Sequence, residues 1–421
     1  AMLAGVRSAN EKISLMGTMI RKFPNSSLVT DANMEIANTY MGDERFRESI
    51  PFLTTITKSS GNASLVPQAY LKLGTAYYNI DNNTEALKQF KFLVDNYPNA
   101  PEAEDALDNI KVIYLEDGKP DEYADFMRQA GRPLSVDTED SLTYYAAEKK
   151  YDDQKINDAL TAFNSYLQRF PNGAYTLDAQ FNRAEIYQSK KDWPNALEGF
   201  EAVAAQAPNK YAERAVLFAA RINFFELKNY TKAETYFGQL KQITSSQETK
   251  LEAMRGLLRS QYQLQKWNDA VENAKELTAA KGSSADDKTL ANMAIGKSQQ
   301  ASRQFDQAIA SFKSVVQLNK AALAAEARYE IAACWLQLNK LSDAEKAAFE
   351  TINKSGSYDY WITKAYILLG DVYFRQKDFF NAKATFQSVV DNTTDTELKS
   401  EAQAKLDLAT EEEGKGSKVG G

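Results

Sequence analysis

Residues Tyr70 to Pro98 read YLKLGTAYYNIDNNTEALKQFKFLVDNYP. Tyr70, Leu73, Gly74 and Tyr77 stand at i, i+3, i+4 and i+7, and after the polar break Asp81-Asn82-Asn83 the same spacing carries Ala86, Phe90 and Leu93. Such a pattern specifies two amphipathic helices joined by a short turn, and Pro98 with Asn99 closes the second. The phrase returns at Ala184, Tyr187, Ala196, Phe200, Val203 and Pro208, and again at Tyr366, Leu369, Gly370, Tyr373, Ala382, Phe386 and Val389.

Taking the alanine as a phase marker gives Ser49, Ala86, Tyr123, Ala159, Ala196, Ala233, Ala270, Ala308, Ala344 and Ala382, spaced 36 to 38 residues apart. One step further back lies Lys12, where Met16, Met19 and Phe23-Pro24 continue the second half of the phrase, so the chain enters in mid-repeat. With 19 Gly and 10 Pro in 421 residues, turn formers are too few for a large β protein. The expected fold is all-α, a solenoid of stacked helical hairpins. Gly74, Gly296 and Gly370 each cost about 0.5 to 1 kcal/mol inside a helix relative to Ala, a cost that close approach of the paired helix offsets. No room is therefore expected beside Gly370 or Ala196. Ser342-Asp343-Ala344-Glu345 and Thr231-Lys232-Ala233-Glu234 match the capping box and are read as second-helix starts.

The formal charge is −7, from 50 basic and 57 acidic residues without a basic block, which disfavours nucleic acid as a partner. Apolar runs are as short as Val216 to Ala220, so no membrane insertion is expected within this chain. Ala1 to Gly5 lacks the charged and apolar regions of a secretion signal. Histidine is absent and the glycines form no phosphate-binding loop, so neither a Ser-His-Asp or Cys-His site nor a nucleotide cofactor is expected, and the chain reads as no enzyme. Cys334, the single cysteine, reads as a core thiol; Asp152-Asp153 and Asp286-Asp287 lack a calcium loop and read as solvated charges, so no metal is expected. Phe46, Trp193, Tyr230, Trp267, Phe305 and Phe379 share one phase just before the second helix, which marks packing between repeats.

The large residue, Leu-Gly, Tyr, Ala, Phe, apolar residue and Pro of Tyr70 to Pro98 resemble the tetratricopeptide repeat family, and the resemblance runs along nearly the whole chain. Repeats of 36 to 38 residues with Phe23-Pro24-Asn25-Ser26, Tyr97-Pro98-Asn99-Ala100 and Phe170-Pro171-Asn172-Gly173 are similar to the bacterial cell-envelope members, of the Tol-Pal coordinating and outer-membrane-assembly lipoprotein type. The resemblance implies a right-handed α-solenoid whose first helices line a concave groove for a peptide, a chain terminus or a partner helix. It implies a binding scaffold, periplasmic or outer-membrane-associated. A cytoplasmic scaffold or co-chaperone remains open, though Asn38 stands with Met34 where a carboxylate clamp needs Lys. Also open is the helical part of a peptidoglycan-active enzyme whose catalytic domain lies elsewhere.

Groove positions follow one, five and eight residues after the large residue of each first helix. They are Leu71 and Tyr78, Tyr144 and Tyr151, Phe181, Phe218 and Phe225, then Arg255, Arg259 and Tyr262, Met293 and Lys297, Tyr329 and Phe374. Exposed aromatics on such a surface suit partner recognition; the competing expectation is that neighbouring first helices bury several of them. Arg255 and Arg259 share a helix face that Tyr262 extends, a cationic segment suited to an acidic peptide, against which stands an internal pairing of Arg255 with Glu252. Reversing both arginines is expected to leave stability near wild type. Organisation along the chain reads as 1–130, N-terminal repeats; 131–397, the main array; 398–410, a capping helix; and 411–421, a disordered tail. Gly and Pro gather at 117–140, read as a degenerate third repeat and a candidate hinge between the N-terminal repeats and the main array, against which stands an irregular but rigid repeat. Oligomeric state is left open.

Overall fold

The computed structural model describes residues 8–59, 62–319 and 321–418, so the N-terminal stretch Ala1 to Gly5 lies outside the described residues. Every regular element among them is a helix. The chain divides into two compact units, Ala1–Ile186 and Tyr187–Gly421, with the boundary inside the helix Thr176–Ser189. The first unit starts with a lone second helix, Ala9–Lys22, at the half repeat that Lys12 marks. Four hairpins follow: Val29–Gly42 with Phe46–Thr57, Leu65–Tyr78 with Asn83–Asn96, Pro101–Glu116 with Pro120–Gln129, and Val136–Asp152 with Ile156–Arg169. In the second unit Trp193–Ala205 precedes Ala212–Arg221, which runs through a π turn at Ile222–Glu226 and pairs with Tyr230–Ile243. Next come Gln247–Gln263 with Trp267–Ala279, Ala285–Ala301 with Phe305–Leu318, Ala322–Gln337 with Leu341–Lys354, and Asp359–Arg375 with Phe379–Asn392. Thr396–Lys418 closes the stack.

All ten phase-marker residues are buried, including Ser49 and Tyr123 where alanine is replaced. Four residues on, Leu53, Phe90, Met127, Phe163, Phe200, Phe237, Ala274, Phe312, Ala348 and Phe386 are buried too. Each Phe so placed contributes about 1.5 to 3 kcal/mol of burial. The opposing first-helix residue adjusts its volume to match. A Cβ on Gly74 would stand 2.5 Å from the Phe90 ring, one on Gly296 2.5 Å from Phe312, and Gly370 meets Phe386 in the same way. Where the second helix has Ala274 in place of Phe, the first helix supplies Leu258, in the same cluster. Gly296→Ala is therefore expected to lower the melting temperature despite alanine's helix propensity, because overpacking costs about 1 to 3 kcal/mol against a gain of about 1. Gly238→Ala, whose added Cβ meets nothing within 4 Å, should raise it; equal shifts for the two would contradict this packing.

Each hairpin turns by one device. Five residues before every marker, the backbone is left-handed: Glu44, Asp81, Gly118, Gln154, Lys191, Lys228, Gln265, Arg303, Asn339 and Lys377 all have φ between 52 and 66°. The next amide then bonds back to the last turn of the first helix, as Asn82 N to Tyr77 O at 3.0 Å and Gln304 N to Gln299 O at 2.8 Å. After the π turn this closure spans one residue more, Asn229 N to Asn223 O at 2.7 Å.

Second helices begin earlier than the capping boxes at Ser342 and Thr231 implied. Leu341 and Tyr230 are already helical, which holds the large residue at the hairpin seam. The cap before Tyr230 is Asn229, whose side chain accepts from Lys232 N at 3.2 Å; a capping box forms instead at Ser284 and Asp287. The third repeat keeps phase, with Tyr123 buried against Tyr114, ring centroids 6.4 Å apart. The last helix does not end at 410: it continues to Lys418, where a disordered tail was expected, with Lys383 paired to Glu413 and Lys415 to Glu411 and Glu412. Residues 419–421 of that tail lie outside the described residues.

Candidate functional site

In the first unit the five groove candidates do not make one surface. Tyr78 ends its helix half-buried, its hydroxyl donating to both carboxylate oxygens of Glu116 at 2.9 Å, a bond that raises the phenol's pKa. Tyr144 is buried rather than groove-exposed, stacked on Tyr175 at 4.6 Å with its hydroxyl on Glu148 Oε1 at 2.7 Å. Phe181 is likewise fully buried. Tyr151 lies half-buried, edge-on to Phe163 at 6.4 Å, and Leu71 packs at the margin of a core cluster.

The second unit brings more of them together. First helices of successive repeats touch one another here, Gln247–Gln263 with Ala285–Ala301, that with Ala322–Gln337, and that with Asp359–Arg375. Phe225 is the most exposed aromatic candidate, at 56%, on the π turn and edge-on to Phe224. Phe218 packs on Phe200, centroids 5.0 Å apart, and Phe374 on Phe379 at 5.5 Å. Met293 is fully buried, so it is core and not groove. Phe379, Trp267 and Tyr230 each meet the aromatic ending their own first helix, so that phase also seals the hairpin from within.

Two of the three candidate cations, Arg255 and Lys297, are spent on internal carboxylates. Arg255 does not pair with Glu252, which instead takes two hydrogen bonds from Arg221, at 2.7 and 2.8 Å. Arg255 forks onto Asp287 at 2.5 and 2.9 Å, and that carboxylate, expected to be solvated, has a side chain only 3% exposed. Burial raises the Asp287 carboxyl's pKa, but the bonds from Arg255 and Ser284 outweigh it and hold it below the ordinary 3.8. Arg259 is exposed. Lys297 reaches Glu330 at 2.6 Å and Glu326 at 3.0 Å; burial depresses its ammonium, and the two glutamates more than reverse that.

Around Lys297 the candidate site takes shape. The Tyr262 hydroxyl donates to Glu326 Oε1 at 2.6 Å across two repeats, and burial followed by that carboxylate drives its pKa up. Gln300 Nε2 donates to Glu330 Oε2 at 2.6 Å. Tyr262, Trp267, Lys297, Gln300, Glu326, Tyr360 and Trp361 are among the residues lining an open cavity of about 610 Å³. Tyr329 backs its wall, its ring 5.5 Å from Trp361 and 5.6 Å from Lys364 Nζ. Of the residues carrying the site, the sequence reading found Tyr262, Lys297 and Tyr329 and missed Gln300, Glu326, Glu330, Tyr360 and Trp361. A signal for the glutamates was present: two carboxylates four apart, on one face of the alanine-rich helix Ala322–Gln337. Cys334 is buried as expected, and burial, then Glu330, pushes its thiol up to about 12.

Stacked helical hairpins define a helical repeat protein. Sequence profiles described as Tetratricopeptide repeat match residues 68–100, 178–210 and 364–392, and another of that description matches 293–359. The matched segments are similar to tetratricopeptide repeats and together cover less than half of the chain. Among solved structures, yeast Tom70 is similar at 12% identity and a TM-score of 0.37, with 96% of this chain and 93% of that one covered. The TPR domain of P58(IPK) is similar at 12% identity and a TM-score of 0.32, with 91% and 97% covered. No curated protein matches the chain. Among the described residues no helix is long and apolar enough to cross a membrane.

Proposed function

We propose that this chain is a non-enzymatic scaffold that holds a peptide segment of a protein partner on its first helices, in the periplasm or at the outer membrane of a bacterial envelope. The aromatic-walled cavity of about 610 Å³, lined from four successive repeats, carries the peptide-binding part. The 36-to-38-residue period with its aromatic-Pro-Asn ends supports the envelope part. The test is selection of a displayed random-peptide library against the full chain, followed by counter-selection against Trp361→Ala. Peptides that bind wild type and lose at least about tenfold in affinity for the variant are the expected result, since one aromatic anchor commonly carries 2 kcal/mol or more. Enrichment of none, or of peptides indifferent to Trp361, would remove this cavity as the binding site. Fractionation of cells expressing the full gene tests the compartment, recovery in the cytoplasm counting against it.

A further inference from the structure

Among the described residues, the cavity beside Lys297 has an unbalanced wall. Lys297 Nζ contacts both Glu326 and Glu330, and no other cation pairs with either glutamate, so the group keeps a net charge of −1. Glu326 takes both its contacts, from Tyr262 and Lys297, on Oε1, which leaves Oε2 without a protein donor. Gln300 uses its amide nitrogen on Glu330 and on Cys334 Sγ, at 3.7 Å, while its Oε1 receives nothing from the protein. Both residues line the cavity. Beside Gln263, Gln265 and Ala301, four rings line the rest of it: Tyr262 meets Trp267 edge-to-face at 5.4 Å, and Tyr360 meets Trp361 at 5.0 Å and 85°.

A negative wall with two open acceptors and four rings selects a flat, weakly hydrated cation with several donors. A guanidinium meets that description: it offers five N–H groups in a plane, and its face stacks on tryptophan and tyrosine. The geometry points to an arginine side chain of the bound peptide as the occupant, with Glu326 Oε2 and Gln300 Oε1 as its acceptors and Tyr360 and Trp361 as its stacking surface. This inference rests on the peptide-binding reading above, and it reverses the acidic ligand that the Arg255 and Arg259 spacing suggested.

The full chain labelled with 5-fluorotryptophan provides the test, because two of its four tryptophans, Trp267 and Trp361, line the cavity and Trp193 and Trp335 do not. N-acetyl-arginine amide should shift the fluorine signals of Trp267 and Trp361 saturably and leave the other two in place. N-acetyl-citrulline amide, the same shape without charge, should bind at least about tenfold more weakly. Glu326→Gln should weaken the arginine probe to a similar extent, and Tyr360→Ala, at a half-exposed ring, should do so independently. Equal responses to the arginine and citrulline probes, or no saturable response to either, would overturn the assignment. Library-selected peptides that shift Trp267 and Trp361 but carry no arginine would remove this ligand and leave the peptide-binding reading standing.

Discussion

Asp140→Ala is expected to destabilise the first unit by about 3 kcal/mol or more, the largest effect of any single side chain there. The Asp140 carboxylate is buried and receives the Tyr166 hydroxyl at 2.5 Å on one oxygen and the Ala174 amide at 2.6 Å on the other. The Tyr166 oxygen in turn accepts from the Tyr175 amide at 3.1 Å. One carboxylate thus holds the loop after the helix Ile156–Arg169 to the body of the preceding first helix. Gly173 makes this possible, since a Cβ there would stand 2.7 Å from both Asp140 Oδ1 and the Tyr166 hydroxyl. Removing the carboxylate leaves the buried Tyr166 hydroxyl without an acceptor, at about 1 to 3 kcal/mol, and strips the part-buried Ala174 amide of its partner as well. Chemical denaturation should show the loss, and hydrogen exchange should speed first at residues 173–176. An Asp140→Ala protein with an unchanged unfolding curve would show that solvent already satisfies these groups.

Arg255→Glu should cost the second unit about 3 to 5 kcal/mol, because it leaves the buried Asp287 carboxylate unpaired and faces it with a second negative charge. Arg259→Glu, at an exposed position, should change stability by no more than about 1 kcal/mol. The two arginines that share a helix face are thus not equivalent, and reversing both together should lower the melting temperature rather than leave it near wild type. Asp287 has its pKa depressed in the folded state, below 3.8, so its pairing stabilises the fold at neutral pH and that contribution is lost as pH falls through the depressed value. The gap between wild type and Arg255→Glu should accordingly narrow below about pH 4. A gap that stays constant from pH 7 to 3 would contradict the assigned pair.

The period, the hairpins and the buried marker were legible in the sequence because they are local: each depends on residues within one helical turn or one hairpin. Helix starts were less so, since Ser342 and Thr231 satisfy a cap pattern while Leu341 and Tyr230 are drawn into the helix by packing. The site was legible only in part. Phase placed Tyr262 and Lys297 on the right face, but Glu326 contacts Tyr262 from 64 residues away, and no periodic pattern records which charge meets which across two repeats. The same limit explains Phe181, Met293 and Tyr144, which occupy inward phase and are covered by neighbours that the spacing does not name.

The left-handed turn residue has a practical corollary. Glu44, Asp81, Gln154, Lys191, Lys228, Gln265, Arg303, Asn339 and Lys377 are all exposed, and acidic, basic and amide side chains all occupy this conformation. The native thiol, by contrast, is buried and poorly ionised. The chain therefore carries a set of attachment points, one in every hairpin but that of Gly118, against a chemically silent background. Cysteines introduced in pairs at these turns would take up dyes or spin labels without first deleting Cys334, and would turn the repeat array into its own molecular ruler.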